Sequence, residues 1–167
     1  MFVAGIAHES PHEVFAAIIA WVFPMTANAE DTYFTATGHE DGKPLIFRSL
    51  KAVPAGVHEA DLPNRVIILW RYQSDLNGMP GADANSAQTA LEDALMPMDV
   101  NESGRQILVV TGNNRKEWHW YVKDFDTWIA QLNQRLATSP VYPIEISHTY
   151  EPLWTSYKDF LVEVNGL

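Results

Sequence analysis

The stretch RQILVVTGNNRKEWHWYV, residues 105–122, decides the fold, because it contains two strand-like runs on either side of a turn. The runs 105–111 and 115–122 are rich in β-branched and aromatic residues, which favour strands. Between them, Gly112-Asn113-Asn114 is a short loop of the kind that joins hairpin strands. The stretch therefore predicts an antiparallel β-hairpin.

The elements on either side of this hairpin extend it into a larger unit. RVIILWRY reads as a strand, and YPIEISHTY reads as a strand whose early proline marks a start or an edge. SAQTALEDALMPM and DFDTWIAQLNQRLA carry apolar residues at helical spacing. The order β-α-β-β-α-β is that of ferredoxin-like domains. The four segments are, in chain order, 65–72 (strand), 86–98 (helix), 124–137 (helix) and 142–150 (strand).

The remaining segments complete the predicted fold class. DTYFTATG and KPLIFRSLKA form a second hairpin over 31–52, turning at His39 to Gly42, and 152–164 form a final helix. We expect an α+β two-layer sandwich with a ferredoxin-like (βαββαβ) core, extended by this N-terminal hairpin and the C-terminal helix. Residues 30–167 then form one α+β domain, and residues 1–29 form an N-terminal extension.

The predicted strands 65–72 and 105–111 are apolar on both faces, which a two-layer sandwich does not explain. In strand 65–72, Val66 and Ile68 point to one face while Ile67 and Leu69 point to the other. Half-exposed strands alternate apolar with polar residues, so both faces at the sheet centre need cover. This cover could come from an apolar helix over 11–23, from the final helix or from a second subunit. A second subunit would make the protein a homodimer packed through the sheet.

The N-terminal segment predicts a buried helix over residues 11–23. Ser10 is suited to be its N-cap, Pro11 to the first helical position and Glu13 to a capping box, and Pro24 ends it. The ten residues from Val14 leave no polar face, and a helix that is apolar all round is expected to be buried.

HESPHE, residues 8–13, also contains an HExxH, the helical signature of zinc proteases. The motif needs both histidines on one helix face, a turn apart. Pro11 between them starts the helix instead, which leaves His8 outside it and His12 inside it. We therefore predict no metal site here, and the other histidines show no ligand spacing.

Residues 1–29 leave the cellular location open between alternatives. Ala27-Asn28-Ala29 follows the apolar run and resembles a signal-peptide cleavage site, but acidic residues and no Lys or Arg precede the run. The run is too short to span a bilayer, so no stable membrane insertion is expected. The segment is a retained helix, an atypical export signal or a leader upstream of a true start at Met25. We expect a cytoplasmic protein, with export as the alternative.

Composition excludes several functions. Eleven Lys and Arg against 21 Asp and Glu give a net charge of −10, which disfavours binding to nucleic acid and to anionic membranes and leaves room for a basic partner. The chain has no cysteine, hence no thiolate nucleophile and no cysteine zinc site. It contains no phosphate-binding or nucleophile-elbow motif, so no catalytic residue and no cofactor is predicted.

The candidate ligand-binding residues lie on strand 115–122. Alternation places Glu117, His119 and Tyr121 on one face, opposite Trp118 and Trp120. Together with Arg115 they could line a pocket in which His119 acts as an acid or a base near neutral pH. The alternative is an internally paired strand face, since cross-strand polar and aromatic pairs are common stabilisers of sheets.

Three blocks of the sequence stand out by their order and spacing. They contain Asn77-Gly78-Met79-Pro80, Thr111-Gly112, Arg115, Trp118, Tyr121, Tyr142-Pro143-Ile144-Glu145, Glu151-Pro152 (where the acid before the proline is Glu), Trp154 and Tyr157. With these residues the chain resembles, over roughly residues 30–165, an uncharacterised bacterial family, domain of unknown function 695. The resemblance implies no catalytic residue. Members are sometimes joined to a domain similar to a ribonuclease E inhibitory regulator, itself ferredoxin-like, which implies regulation through protein binding.

The functional expectation is a non-catalytic binding or regulatory module that contacts a protein partner. The alternative is a small hydrolase or ligand-binding enzyme with a pocket around Arg115, Glu117, His119 and Tyr121. A deep pocket with His119 beside a carboxylate would favour the enzyme, and a flat, solvated sheet face would count against it.

Overall fold

A computed structural model of the chain describes residues 18–24 and 33–165, and these form seven strands and three α-helices. Two short 3-10 turns, Glu59–Asp61 and Met96–Met98, lie between them. In chain order the elements are β1 Ile18–Pro24, β2 Tyr33–Glu40, β3 Lys43–Leu50, β4 Asn64–Arg71, α1 Ala82–Leu95, β5 Gly104–Gly112, β6 Arg115–Val122, α2 Phe125–Leu136, β7 Ile144–Tyr150 and α3 Thr155–Asn165.

The strands form one antiparallel sheet in the order β1-β2-β3-β5-β6-β4-β7. The predicted hairpin of β5 and β6 is at its centre. The β2–β3 hairpin joins the sheet where β3 pairs with β5, as its predicted place beside the core requires. Its turn consists of Asp41 and Gly42 with φ of +52° and +76°, the left-handed values that the tightest hairpin turns need. The described residues thus have an α+β fold, as their pattern predicts.

Helices cover both faces of the sheet, so the expected two-layer arrangement is wrong. One face, here called the α1/α2 face, packs the apolar stripes of α1 and α2 against Val66, Ile68, Trp118 and Trp120. The other, here called the α3 face, packs α3 against Leu108, Val110 and Tyr121 together with residues of β2 and β3. The reason is the two-sided apolar character of the central strands, which α3 covers on the second face.

The helix predicted over residues 11–23 is wrong for its second half. Ile18–Pro24 is a strand that pairs antiparallel with β2. A short, continuous apolar run has no periodicity to separate a strand from a buried helix, and this run is rich in β-branched and aromatic residues, which favour strands. The first half of the predicted helix, residues 11–17, lies outside the described residues, and so does the HESPHE motif at residues 8–13.

The three helices beyond residue 80 lie close to where their patterns predict them. α1 begins four residues earlier than predicted, after Gly81, and α2 is capped by the Asp124 carboxylate, which accepts a hydrogen bond of 2.8 Å from the Thr127 amide. Within the part of the chain that the structure describes, no helix is long and apolar enough to cross a membrane.

Gln88 of α1 is an exception to the apolar packing of the α1/α2 face. Its side chain is fully buried, and neither its amide nitrogen nor its amide oxygen has a hydrogen-bond partner among the described residues. A buried amide without partners costs free energy that an apolar side chain of similar size does not.

Replacing Gln88 by methionine is therefore expected to raise the free energy of unfolding by about 1–3 kcal/mol. Urea denaturation of both proteins measures the change. The matched control is Gln131→Met on the exposed side of α2, which is expected to change stability by no more than about 0.5 kcal/mol. A clear loss of stability in Gln88→Met would mean that the amide makes bonds in solution that the structure lacks.

Candidate functional site

The four candidate residues lie on the α3 face, because alternation along β6 sends every second side chain to the same side of the sheet. Arg115, Glu117 and His119 form a continuous chain of contacts, here called the charge row, which also includes Glu40 of β2. Tyr121 follows them on the strand but belongs to a second network. The predicted set is therefore shared between two groups of contacts.

Arg115 is held by two carboxylates at once. Its two terminal guanidinium nitrogens donate to Glu40, Nη2 reaching Oε1 at 3.1 Å, and its Nε donates to Glu117 Oε1 at 2.5 Å. Glu40 also accepts a hydrogen bond of 2.6 Å from the Asn113 side chain in the β5–β6 turn. The contacts to the two carboxylates outweigh the effect of burial and raise the pKa of Arg115. Every nitrogen of the guanidinium group is occupied.

Glu117 and His119 form the other end of the charge row. His119 Nε2 lies 2.9 Å from Glu117 Oε2, and the histidine is buried, with 7% of the residue exposed. Burial by itself raises the pKa of Glu117, but the hydrogen bond from His119 and the charge of Arg115 outweigh it and lower that pKa to about 2. Burial lowers the pKa of His119 despite Glu117. Near neutral pH the pair is therefore a carboxylate and a neutral imidazole.

His119 Nδ1 differs from the other polar atoms of the charge row. With Nε2–H donating to the carboxylate, Nδ1 has a free lone pair, and it has no hydrogen-bond partner among the described residues. A neutral imidazole oriented by a carboxylate can act as a base or accept a hydrogen bond from a ligand. Its neighbours across the strand pairing are Ile67 and Leu108.

Tyr121 serves to anchor α3. Its ring stacks on Trp154 at a centroid distance of 4.2 Å and an angle of 6°, and its hydroxyl donates to Glu151 Oε1 at 3.0 Å. Glu151 in turn accepts from the backbone and the hydroxyl of Ser156 in α3 and lies 3.6 Å from Arg65. Burial and the adjacent Glu151 raise the pKa of Tyr121, so its hydroxyl stays protonated.

Trp154 is held in an unusual backbone conformation. Its φ is +52°, a left-handed value that bulky residues rarely adopt. The residue is fully buried, and its indole nitrogen donates to the Leu62 carbonyl at 2.9 Å. Tyr157, one turn further, donates to the Leu50 carbonyl at 2.9 Å. These buried contacts fix where α3 starts and how it lies on the sheet.

The Asn77-Gly78-Met79-Pro80 turn supports the charge row from outside. The Asn114 amide donates to the Gly78 carbonyl at 2.9 Å, and the Tyr72 hydroxyl lies 3.1 Å from the carbonyls of both Gly78 and Arg115. A Cβ on Gly78 would lie 3.0 Å from the backbone of Asn113, and a Cβ on Gly112 only 2.2 Å from the Pro44 carbonyl. Both glycines are therefore needed for close approach of backbone to backbone.

Several residues of these networks were not predicted from the sequence. The sequence pattern places Glu40 in a turn and predicts no site at Arg65 or Glu151, which the structure shows in these networks. No local pattern marks them, because only the pairing of β2 with β3, and of β3 with β5, brings Glu40 to Arg115, 75 residues away. Within the described ranges no three His, Asp or Glu side chains are arranged to hold a metal ion.

A model of a family of unknown function (DUF695) matches residues 31–162 of the chain. The matched residues contain all the blocks on which the sequence resemblance rests, including the Gly78 and Gly112 turns, Arg115, Tyr121 and Trp154. The resemblance seen in the sequence is thus confirmed. No curated protein and no solved structure matches the chain.

The charge row predicts how stability depends on pH. Because the pKa of Glu117 lies at about 2 in the fold, against an ordinary value of 4.5, its carboxylate stabilises the protein above pH 4.5. That contribution, on the order of 3 kcal/mol, is lost as the pH falls toward about 2. We expect Glu117→Gln to be destabilised at neutral pH and to show a smaller loss across this interval than wild type.

Urea unfolding measured at intervals between neutral pH and the acid limit tests this. Glu145→Gln is the control, since the Glu145 side chain is 55% exposed and pairs with the exposed Arg71. It should follow the wild-type dependence closely. If Glu117→Gln also follows the wild-type pH dependence, the contacts to His119 and Arg115 do not lower the pKa of Glu117.

Proposed function

We propose that this chain, which belongs to the family of unknown function DUF695, is a non-catalytic module that contacts a protein partner. In this proposal the charge row is an internal support and not an active site. The observation that carries it is the pairing of Arg115 with two carboxylates, because each of its three guanidinium nitrogens donates to Glu40 or Glu117. With its positive charge offset by both carboxylates, the guanidinium group offers little attraction to an anionic substrate.

The energetics of the charge row support this interpretation. A substrate anion that replaced one of the carboxylates at Arg115 would leave that carboxylate unpaired, which costs about 3–5 kcal/mol for a buried group. Tyr121 is likewise occupied, because its hydroxyl donates to Glu151 and its ring is covered by Trp154. Of the four candidate residues, three thus make the contacts expected of structural groups.

We further propose that the part of the chain from β4 to β7 is a ferredoxin-like core. In support, its strands lie in the order β5-β6-β4-β7, so that the first and third strands of the unit are central, and α1 and α2 share one face. Such a core leaves an edge of the sheet available for a partner. We also propose a cytoplasmic location, which the lack of cysteine suits, with export through residues 1–29 as the alternative.

One observation favours a second candidate function, a ligand-binding enzyme or small hydrolase. His119 Nδ1 has no partner among the described residues, while Nε2 of the same ring is held by the Glu117 carboxylate, an arrangement that suits a general base. The side chain is 9% exposed, so the face is not the flat, solvated surface that would argue against an enzyme.

His119→Gln separates the two candidates, because a glutamine amide can still donate to Glu117 but cannot act as a base. As a non-catalytic module, the protein is expected to show no hydrolysis of a panel of ester, amide and phosphate-ester substrates above that of the variant. Burial keeps His119 neutral in the fold, so the wild-type protein gains stability as the pH rises through about 6.5, where the imidazole of the unfolded chain loses its proton. The variant should lack this gain. Turnover by wild type that His119→Gln abolishes, with the fold intact by circular dichroism, would favour the enzyme.

A further inference from the structure

The outer edge of β7 has backbone groups that no described strand pairs with. The Glu151 amide donates to the Pro63 carbonyl at 2.7 Å, which fixes the phase of the β4–β7 ladder. In an antiparallel ladder hydrogen-bonded pairs alternate, so residues 145, 147 and 149 bond to β4. The amides and carbonyls of Ile146, His148 and Tyr150 therefore point away from the sheet.

This edge lacks the devices that usually protect a free strand. Proteins block such edges with lysine, proline, bulges or very short strands. β7 pairs with β4 over seven residues without a bulge, and it contains neither proline nor lysine. At its end Tyr150 is 70% exposed, and the nearby Leu153 is 66% exposed. An incoming strand would find both free backbone groups and apolar contact area.

The charges around β7 favour a cationic partner. Glu145 is exposed on the α3 face of the strand, where Arg71 lies 3.5 Å from it and offsets part of its charge. On the other face the negative charge of Asp126 acts on His148, whose ring stacks on Phe125 at 4.2 Å. The whole chain carries a net charge of −10, so a cationic segment is attracted while a second copy is repelled.

We propose that the β7 edge is the docking site for the protein partner, and that its occupant is an extended, cationic segment which adds to the sheet as a further strand. This inference rests on the proposed function and gives it a surface and a partner chemistry. Backbone hydrogen bonds to residues 146, 148 and 150 supply affinity, and the alternating side chains of the segment meet Tyr150 on one face and Glu145 on the other.

His148→Pro tests the proposal with His148→Ala as the matched control. Both variants lose the imidazole contacts to Phe125 and to the Asn64 side chain, but only proline removes the outward amide of residue 148, and neither removes a backbone hydrogen bond to β4. The probe is a short fluorescein-labelled peptide of alternating lysine and valine, with an alternating glutamate–valine peptide as its counterpart. Fluorescence anisotropy measures binding, and circular dichroism checks the fold of each variant.

We expect the lysine peptide to bind wild type and His148→Ala within about twofold of each other, and His148→Pro at least about tenfold more weakly. It should also slow amide hydrogen exchange at Ile146 and Tyr150. The glutamate peptide should bind at least about tenfold more weakly than the lysine peptide. Equal binding to both folded variants, equal binding of both peptides, or a wild-type dimer that His148→Pro dissociates would overturn the proposal.

The two proposals fail differently. If a folded His148→Pro variant still cross-links to the same protein as wild type, the edge is wrong but partner binding stands. If wild type hydrolyses a substrate through His119, the proposed function is wrong, whereas the peptide measurements still decide whether the edge binds a strand.

Discussion

The placement of Arg115 between Glu40 and Glu117 is the interaction on which the arrangement of the sheet depends. Arg115 starts β6, Glu40 ends β2, and the strands β3 and β5 separate them, so this contact ties the added hairpin to the central strands. A bidentate guanidinium–carboxylate contact has a fixed planar geometry, which makes it specific as well as strong. Because the Arg115 guanidinium group is largely buried, losing either carboxylate leaves part of its charge unpaired. Other registers of the β2–β3 hairpin, which would move Glu40 away from Arg115, are therefore less stable.

The same corner explains why two glycine turns lie where they do. Gly112 brings β5 against the Pro44 carbonyl of β3, and Gly78 brings the Asn77-Gly78-Met79-Pro80 turn against Asn113. Tyr72 then ties that turn to the Arg115 carbonyl. At the other end of β6, Tyr121 and Trp154 fix α3. Both ends of β6 are therefore held by buried contacts, and the outer edge of β7 is left for the partner that we propose.

Much of this was predictable from the sequence, and the misses have physical causes. Alternation along β6 placed Arg115, Glu117, His119 and Tyr121 on one face, and helical periodicity found α1, α2 and α3, because these signals are local. Glu40 was missed because its contact depends on the register of three strands. The run at Ile18–Pro24 suggests a helix although it is a strand, because a continuous apolar run has no periodicity that separates the two. The fold has three layers and not the expected two, because the central strands are apolar on both faces and α3 packs on the second face.

A double-mutant cycle on Glu40 and Arg115 measures whether the carboxylate and the guanidinium group stabilise the fold together. The four proteins are wild type, Glu40→Gln, Arg115→Met and the double variant, each unfolded in urea near neutral pH, with the exposed Arg71–Glu145 pair as a parallel cycle. We predict a coupling energy above about 1 kcal/mol for Glu40–Arg115 and below about 0.5 kcal/mol for the surface pair. Additive effects at Glu40 and Arg115 would contradict it, because a guanidinium that does not depend on its carboxylate is free to bind a substrate.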